Sequence, residues 1–247
     1  MKACPVCNDR GIVIKNNVAF PCSCSKQKAI LNRFKEAGLP EGLRSHTFDK
    51  FDFKYYSKFR IDPERKITYY ELARRTFQAA LDFVQNFKKN RHIDGLLITG
   101  PVGSGKTYLA ACIANALLEA ETVLLFVVVP DLLDRLRSTY DQNRQIIEHY
   151  SEKDLLDTAR EVPLLFLDDL GAHNYTEWAK NKLYSILNYR VNHRLPVIIT
   201  TNISLENLGE YLGERTASRI CQMCWPCRLS VEDDIRMIKR REKLQDS

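Results

Sequence analysis

Gly100-Pro101-Val102-Gly103-Ser104-Gly105-Lys106-Thr107 has the spacing G-x-x-x-x-G-K-[ST]. Each fixed position has a chemical reason. Glycines let consecutive backbone N–H groups turn inward on a phosphate chain, and a helix that starts at the loop adds its positive end. Lys106 has the length and charge to reach β- and γ-phosphates, and the Thr107 hydroxyl suits Mg²⁺. The context fits, because the apolar run Leu96–Thr99 leads in and a helix-like run from Thr107 to Glu119 leads out. These residues predict a nucleoside triphosphate site.

Hydrolysis needs a second set of groups. Pro163-Leu164-Leu165-Phe166-Leu167 reads as a buried parallel strand ending in Asp168-Asp169. In such sites the first Asp holds Mg²⁺ and the second polarises the attacking water. Asp in that second place is shorter than the more usual Glu, so slow turnover is expected. A further strand, Val197–Thr201, ends at Asn202, whose amide is placed to contact the γ-phosphate and the water. Asn after a strand also serves as a plain turn former.

Cysteines form two more groups. Cys4-Pro5-Val6-Cys7 and Cys22-Ser23-Cys24 flank a predicted hairpin, Gly11–Ile14, an Asn16-Asn17 turn and Val18–Phe20. Folding it brings four thiols together, a donor set suited to tetrahedral Zn²⁺, and so small a unit needs such a staple. Four free thiols is the plainer alternative. Cys221, Cys224 and Cys227 have the spacing C-x-x-C-x-x-C without a fourth ligand, and read as apolar packing near Trp225.

These residues need a scaffold, and the rest of the chain supplies one. Asp62-Pro63 predicts the start of a long amphipathic helix, with Ile67, Tyr70, Ala73, Phe77, Ala80, Leu81, Val84 and Phe87 recurring at three and four. Strands over 95–99, 122–129, 163–168 and 197–201 alternate with helices over 106–119, from about 130, and over 176–193. That alternation predicts an α/β fold with a parallel sheet covered by helices. The expected division is a zinc-binding-like arm (1–25), a linker (26–61) with a helix over Lys26–Ala37, and a core (62–247).

The longest apolar stretch, Val123–Val129, is strand length, and Met1–Cys4 has no apolar signal core. A cytoplasmic protein, with no membrane association and with reduced thiols, is therefore expected. The first 60 residues carry 12 Lys/Arg against 5 Asp/Glu, while the whole chain nets +6. The basic excess is N-terminal, which suits contact with nucleic acid or an acidic protein, or a merely solvated face.

From about Thr47 to Arg236 the chain resembles the DnaC/DnaI-type bacterial replicative helicase loaders. These are AAA+ ATPases related to the ATP-binding helpers of IstB-type transposons. The resemblance is carried by Thr47-Phe48-Asp49-Lys50-Phe51, the phosphate loop, Leu167–Ala172, the Thr176–Pro196 helix and turn, Thr200-Thr201-Asn202, and Leu212-Gly213-Glu214-Arg215-Thr216-Ala217-Ser218-Arg219-Ile220. It implies that Asn202 is the first sensor. It implies that Arg219, with Arg215 as runner-up, is an arginine finger reaching a neighbouring copy's nucleotide. Arg236 would be the second sensor. Without the likeness, Arg215 and Arg219 read as helix cations at i and i+4.

The implied function is an ATP-controlled loader that self-associates, grips a DnaB-type helicase and places it on single-stranded DNA. Two alternatives stand beside it: an IstB-like transposition helper ATPase, and a nucleotide-binding adaptor without turnover. The intact Lys106, Thr107, Asp168 and Asp169 weigh against the adaptor. The cysteine arm weighs against the transposition helper.

Overall fold

The structure, a computed structural model, describes residues 4, 6–8, 10–15, 18–22, 24–25, 39–138, 151–171 and 175–245. The helix expected over Lys26–Ala37, the Asn16-Asn17 turn and Ala172 lie outside the described residues. The N-terminal hairpin forms as β1 (Ile12–Lys15) antiparallel to β2 (Val18–Pro21), in register Ile12↔Pro21 to Lys15↔Val18. Ile12, Ile14, Val18 and Phe20 stay exposed. With so little apolar burial the hairpin has almost no core of its own.

The first long helix, α1 (Tyr69–Lys89), begins later than Asp62-Pro63 predicts. Asp62 is buried and its Oδ1 accepts the amides of Glu64 and Arg65, which makes a turn. Its Oδ2 meets Arg228 Nε at 2.9 Å and accepts the Ser230 hydroxyl at 3.0 Å. Burial works to raise the Asp62 carboxyl, but the Arg65 amide, the Ser230 hydroxyl and the Arg228 charge outweigh it and hold the pKa low. Lys66 then takes a left-handed φ of 58°, and Thr68 caps the helix by accepting from the Glu71 amide. The turn that precedes the helix is thus tied to a partner 166 residues away.

Five strands form one parallel sheet: β3 (Gly95–Thr99), β4 (Leu124–Val128), β5 (Leu164–Leu170), β6 (Val197–Thr201) and β7 (Cys224–Arg228). Their spatial order is β4-β5-β6-β3-β7. The helices that follow α1 are α2 (Lys106–Glu119), α3 (Val129–Ser138), α4 (Glu152–Glu161), α5 (Glu177–Asn192), α6 (Leu208–Leu212), α7 (Glu214–Met223) and α8 (Ile235–Gln245). Alternate strand residues feed two cores. Leu96, Ile98, Phe126 and Phe166 face α1 and α2, while Leu97, Leu125, Leu167 and Ile199 face α3 to α7.

Two features depart from the sequence expectation. The triple-cysteine segment supplies an edge strand, β7, beside β3. Pro226, which cannot donate to a ladder, is tolerated there because an edge strand has a free side. Cys224 and Cys227 fall in opposite cores and Cys221 is exposed, so they do not converge on a metal. Burial pushes both buried thiols up, Cys227 to about 12. The second departure is in the segment read as linker. Leu39, Phe51 and Tyr56 are buried in the α1–α2 core, and Phe51 and Phe53 lie 5.2 and 5.1 Å from the Phe77 ring.

Arg190, on α5, is fully buried and ties the two strands that carry the predicted polar tips. Its Nη1 donates to the carbonyls of Ala159, Arg160 and Val162 at the end of α4, and its Nη2 to Pro196 just before β6. The negative end of α4 offsets the cation, although burial still lowers its pKa to about 9. Among the described residues, no helix is long and apolar enough to cross a membrane.

Candidate nucleotide site

The phosphate loop joins β3 to α2 beside β6, where the chain order of the strands reverses, the usual place for a ligand crevice in an open parallel sheet. Gly103 has φ 72°, and a Cβ there would fall 2.0 Å from the Asp234 carboxyl carbon. Gly105 has φ 91° and caps α2 in the left-handed region. A side chain at either position would strain the backbone and collide, so the glycines keep the cradle open.

Lys106 is 7% exposed, and its Nζ donates to the carbonyls of Gly100 at 2.9 Å and Pro101 at 2.8 Å. Burial lowers its pKa to about 8, against the opposing pull of Asp169 and Asp168. The amine is thus stored on the loop's own carbonyls. Thr107, one residue on, donates to Asp168 Oδ1 at 2.9 Å and Oδ2 at 3.1 Å. A hydroxyl and a carboxylate in such contact offer oxygen ligands to one divalent cation, so this donor set fits Mg²⁺. Burial raises the Asp168 pKa, while the Thr200 and Thr107 hydroxyls work to lower it.

Asp169 is half-buried, takes φ 58°, and lies near enough to Lys106 to act on its charge. Asn202 is exposed, one residue beyond β6. Arg236 is in the first turn of α8. Its amide donates to Asp234 Oδ1, and its guanidinium Nε lies 3.7 Å from the same oxygen. The Ile235 amide donates to the Gly103 carbonyl at 3.1 Å, so α8 starts directly against the loop. Arg219 is elsewhere: half-buried on α7, with its Nη1 donating to Gln222 Oε1 at 2.9 Å.

Three residues that shape the site were not singled out from the sequence. The buried Tyr56 hydroxyl donates to the Ser104 carbonyl at 2.8 Å and so pins the loop from the segment before the core. Burial pushes that hydroxyl well above the ordinary tyrosine range. Thr200 bonds both Asp168 and Asp169. Asp234 presses on Gly103. Each acts through a contact 31 to 131 positions distant in the chain, which no local pattern signals; only the T-T-N run drew notice to Thr200.

The four N-terminal cysteines do come together. Their sulfurs all lie within 4.8 Å of one another, with Cys4–Cys22 at 3.9 Å and Cys7–Cys24 at 3.2 Å. Zn–S bonds of about 2.3 Å in a tetrahedron place sulfurs roughly 3.8 Å apart, so the set fits Zn²⁺. The Gly11 amide donates to Cys7 Sγ at 3.3 Å, the outer contact that orients a thiolate ligand. Amides of Cys7 and Val6 bring the Cys4 thiol down to about 7, while the contact with Cys7 raises Cys24.

Known proteins resemble this chain in sequence and in fold. The replicative helicase loader DnaI of Bacillus subtilis (strain 168) is 27% identical over 221 residues, which are 84% of this chain and 64% of DnaI. The replicative helicase loader DnaC of Escherichia coli (strain K12) is 27% identical over 165 residues, 67% of this chain and 62% of DnaC. The chain thus spans less than two thirds of the length of these curated relatives. A crystal structure of DnaI is similar with a TM-score of 0.59 and 27% identity, over 79% of this chain and 94% of that one. The fold is an AAA+ P-loop NTPase core preceded by a small cysteine-bearing arm. A family model described as IstB-like ATP binding protein matches residues 26–221, most of the chain, and the chain therefore belongs to the IstB-like ATP-binding family.

Proposed function

We propose that this protein is a cytoplasmic, ATP-hydrolysing loader that places a DnaB-type replicative helicase on single-stranded DNA. The observation that carries the reading is the Thr107–Asp168 contact beside a buried Lys106, in a chain 27% identical to a replicative helicase loader. Lys106 exchanges its two loop carbonyls for the β- and γ-phosphate oxygens of ATP. Thr107 and Asp168 hold Mg²⁺, which when bound neutralises charge on the phosphates. The loop of Gly100, Pro101, Val102, Gly103, Ser104 and Gly105 cradles them through its backbone N–H groups, of which Pro101 has none. Asp169 polarises the attacking water, Asn202 orients it, and Arg236 contacts the phosphates from α8. Arg219 of one copy completes the site of the next, so ATP holds an assembly that hydrolysis loosens.

The arm, residues 1–25, recruits the partner, and the core from residue 62, with the aromatic segment before it, turns over ATP. One Zn²⁺ is held by Cys4, Cys7, Cys22 and Cys24 in a structural role, since four thiolates leave no open position. Cys4→Ser is expected to release the metal and unfold the arm while ATP affinity changes by less than about twofold. Metal analysis of protein purified without chelator reads the stoichiometry, and zinc-free wild type would remove this assignment.

The partner reading is tested by pull-down with the host's hexameric helicase. Deleting residues 1–25 leaves Leu39, Phe51 and Tyr56 in the core, whereas a truncation at Asp62 would strip them. Loss of helicase binding is expected, with ATP binding kept. Undiminished binding moves the docking surface into the core. No binding by the full chain favours the transposition helper, the reading that the family's IstB-like description keeps in view. Single-stranded DNA binding should weaken with added salt, because Lys and Arg contacts to phosphate release counterions.

A further inference from the structure

The pairing of β5 with β6 breaks its step at the Asp-Asp pair. Leu167 is opposite Ile199 and Leu170 is opposite Thr201, so Asp168 and Asp169 together stand against the single residue Thr200. This is a β-bulge, a device that bends a strand end and re-aims its side chains. Asp169 takes φ 58° there, in the left-handed region that is uncommon for a residue with a side chain and least so for Asp and Asn.

One hydroxyl bonds both aspartates. Thr200 is 1% exposed, and its Oγ1 donates to Asp168 Oδ1 at 2.5 Å while accepting from the Asp169 amide at 2.9 Å. A hydroxyl has a single hydrogen, and here it is committed to the first carboxylate; a lone pair is committed to the backbone of the second. Its neighbour does different work: Thr201 Oγ1 donates to the Leu170 carbonyl at 2.6 Å and accepts from the Ile203 amide at 3.0 Å, which secures the chain beyond the bulge.

We propose that Thr200 is the positioning residue of the hydrolytic pair, fixing the Asp168 carboxylate toward Thr107 and the Asp169 backbone in its left-handed turn through the same hydroxyl. The inference rests on reading Asp168 and Asp169 as the carboxylates of ATP hydrolysis. Valine keeps the shape of threonine and removes both bonds, leaving Asp168 with Thr107 and the Asp169 amide without a partner. Mispositioning of catalytic groups by about an ångström is worth roughly 100-fold in rate.

The test compares Thr200→Val and Thr200→Ser with wild type in the full chain. For Thr200→Val the expected result is a kcat lowered about 10- to 100-fold with KM within about threefold. Affinity for a fluorescent ADP analogue without Mg²⁺ should be unchanged, the gain in that affinity on adding Mg²⁺ should shrink, and the Asp169 amide should exchange faster with solvent. Thr200→Ser keeps the hydroxyl and should restore all three readouts. Wild-type kcat and Mg²⁺ response in Thr200→Val would overturn the proposal, as would a Thr200→Ser variant as impaired as the valine. Should the valine variant not fold, Thr200→Ala replaces it with the same expectations. If wild type itself hydrolyses no ATP, the hydrolysis reading fails, and the Mg²⁺ response and amide exchange still decide the role of Thr200.

Discussion

Arg219→Ala is expected to bind ATP as wild type does and to lose about 10³-fold in turnover, but only under conditions where copies assemble. The residue lies on α7, held by Gln222 on its own helix. A cation presented on a helix surface is available to a second copy, where it would neutralise charge on the transferring phosphoryl group. Turnover measured against protein concentration checks this: wild type should rise faster than linearly, and Arg219→Ala should not. Mixing Arg219→Ala with Asp169→Asn should recover activity, because the second variant lends its arginine to the first one's intact site. Normal turnover by Arg219→Ala under assembling conditions transfers the role to Arg215, exposed four residues earlier on the same helix.

Lys106→Ala is expected to weaken ATP binding by about 10- to 100-fold, the worth of one or two charge-assisted hydrogen bonds. The same lysine makes binding depend on pH. Burial sets its pKa at about 8 in the free protein. Below that value the amine is charged and meets the phosphates at full strength. As pH rises through about 8 the free protein loses this proton, and binding must take it back up, so affinity should fall with pH above 8 and binding there should be accompanied by proton uptake. Calorimetry in buffers of different ionisation enthalpy reads that uptake directly. A pH-independent affinity from 7 to 9.5 would show that the lysine keeps its charge, and Lys106→Ala should abolish the dependence whatever the absolute affinity.

The elements that carry the two halves of the candidate nucleotide site were legible because each rests on local spacing. The glycine loop sits between an apolar run and a helix, and both β3 and α2 occupy the residues that pattern predicts. The Asp-Asp pair ends a five-residue apolar run, and β5 follows it, extending to Leu170. The cysteine pairs were readable for a similar reason, because a hairpin of this length can only return its second pair to its first.

Less legible was whatever depends on a distant partner. β7 contains a proline and two cysteines and has no strand periodicity; it becomes a strand because β3 offers it an open edge. The segment before Asp62 has the composition of a linker, yet its aromatic residues find α1 and place the Tyr56 hydroxyl on the phosphate loop. α1 begins at Tyr69, after a turn in which Asp62 is also bonded to the distant Arg228 and Ser230.

The sequence by itself determined the chemistry on offer: which side chains are present that suit phosphate, Mg²⁺ and Zn²⁺, and the apolar runs and period-3.6 patterns that put them at strand ends and helix starts. Those are properties of spacing, and spacing is covalent. The tertiary structure alone decided the aim of these groups. A register step between β5 and β6 turned Asp168 and Asp169 around Thr200, and Arg190 locked the end of α4 to the start of β6. Such contacts exist only after the chain has closed on itself, because a hydrogen bond is set by distance in space and carries no trace in the order of residues.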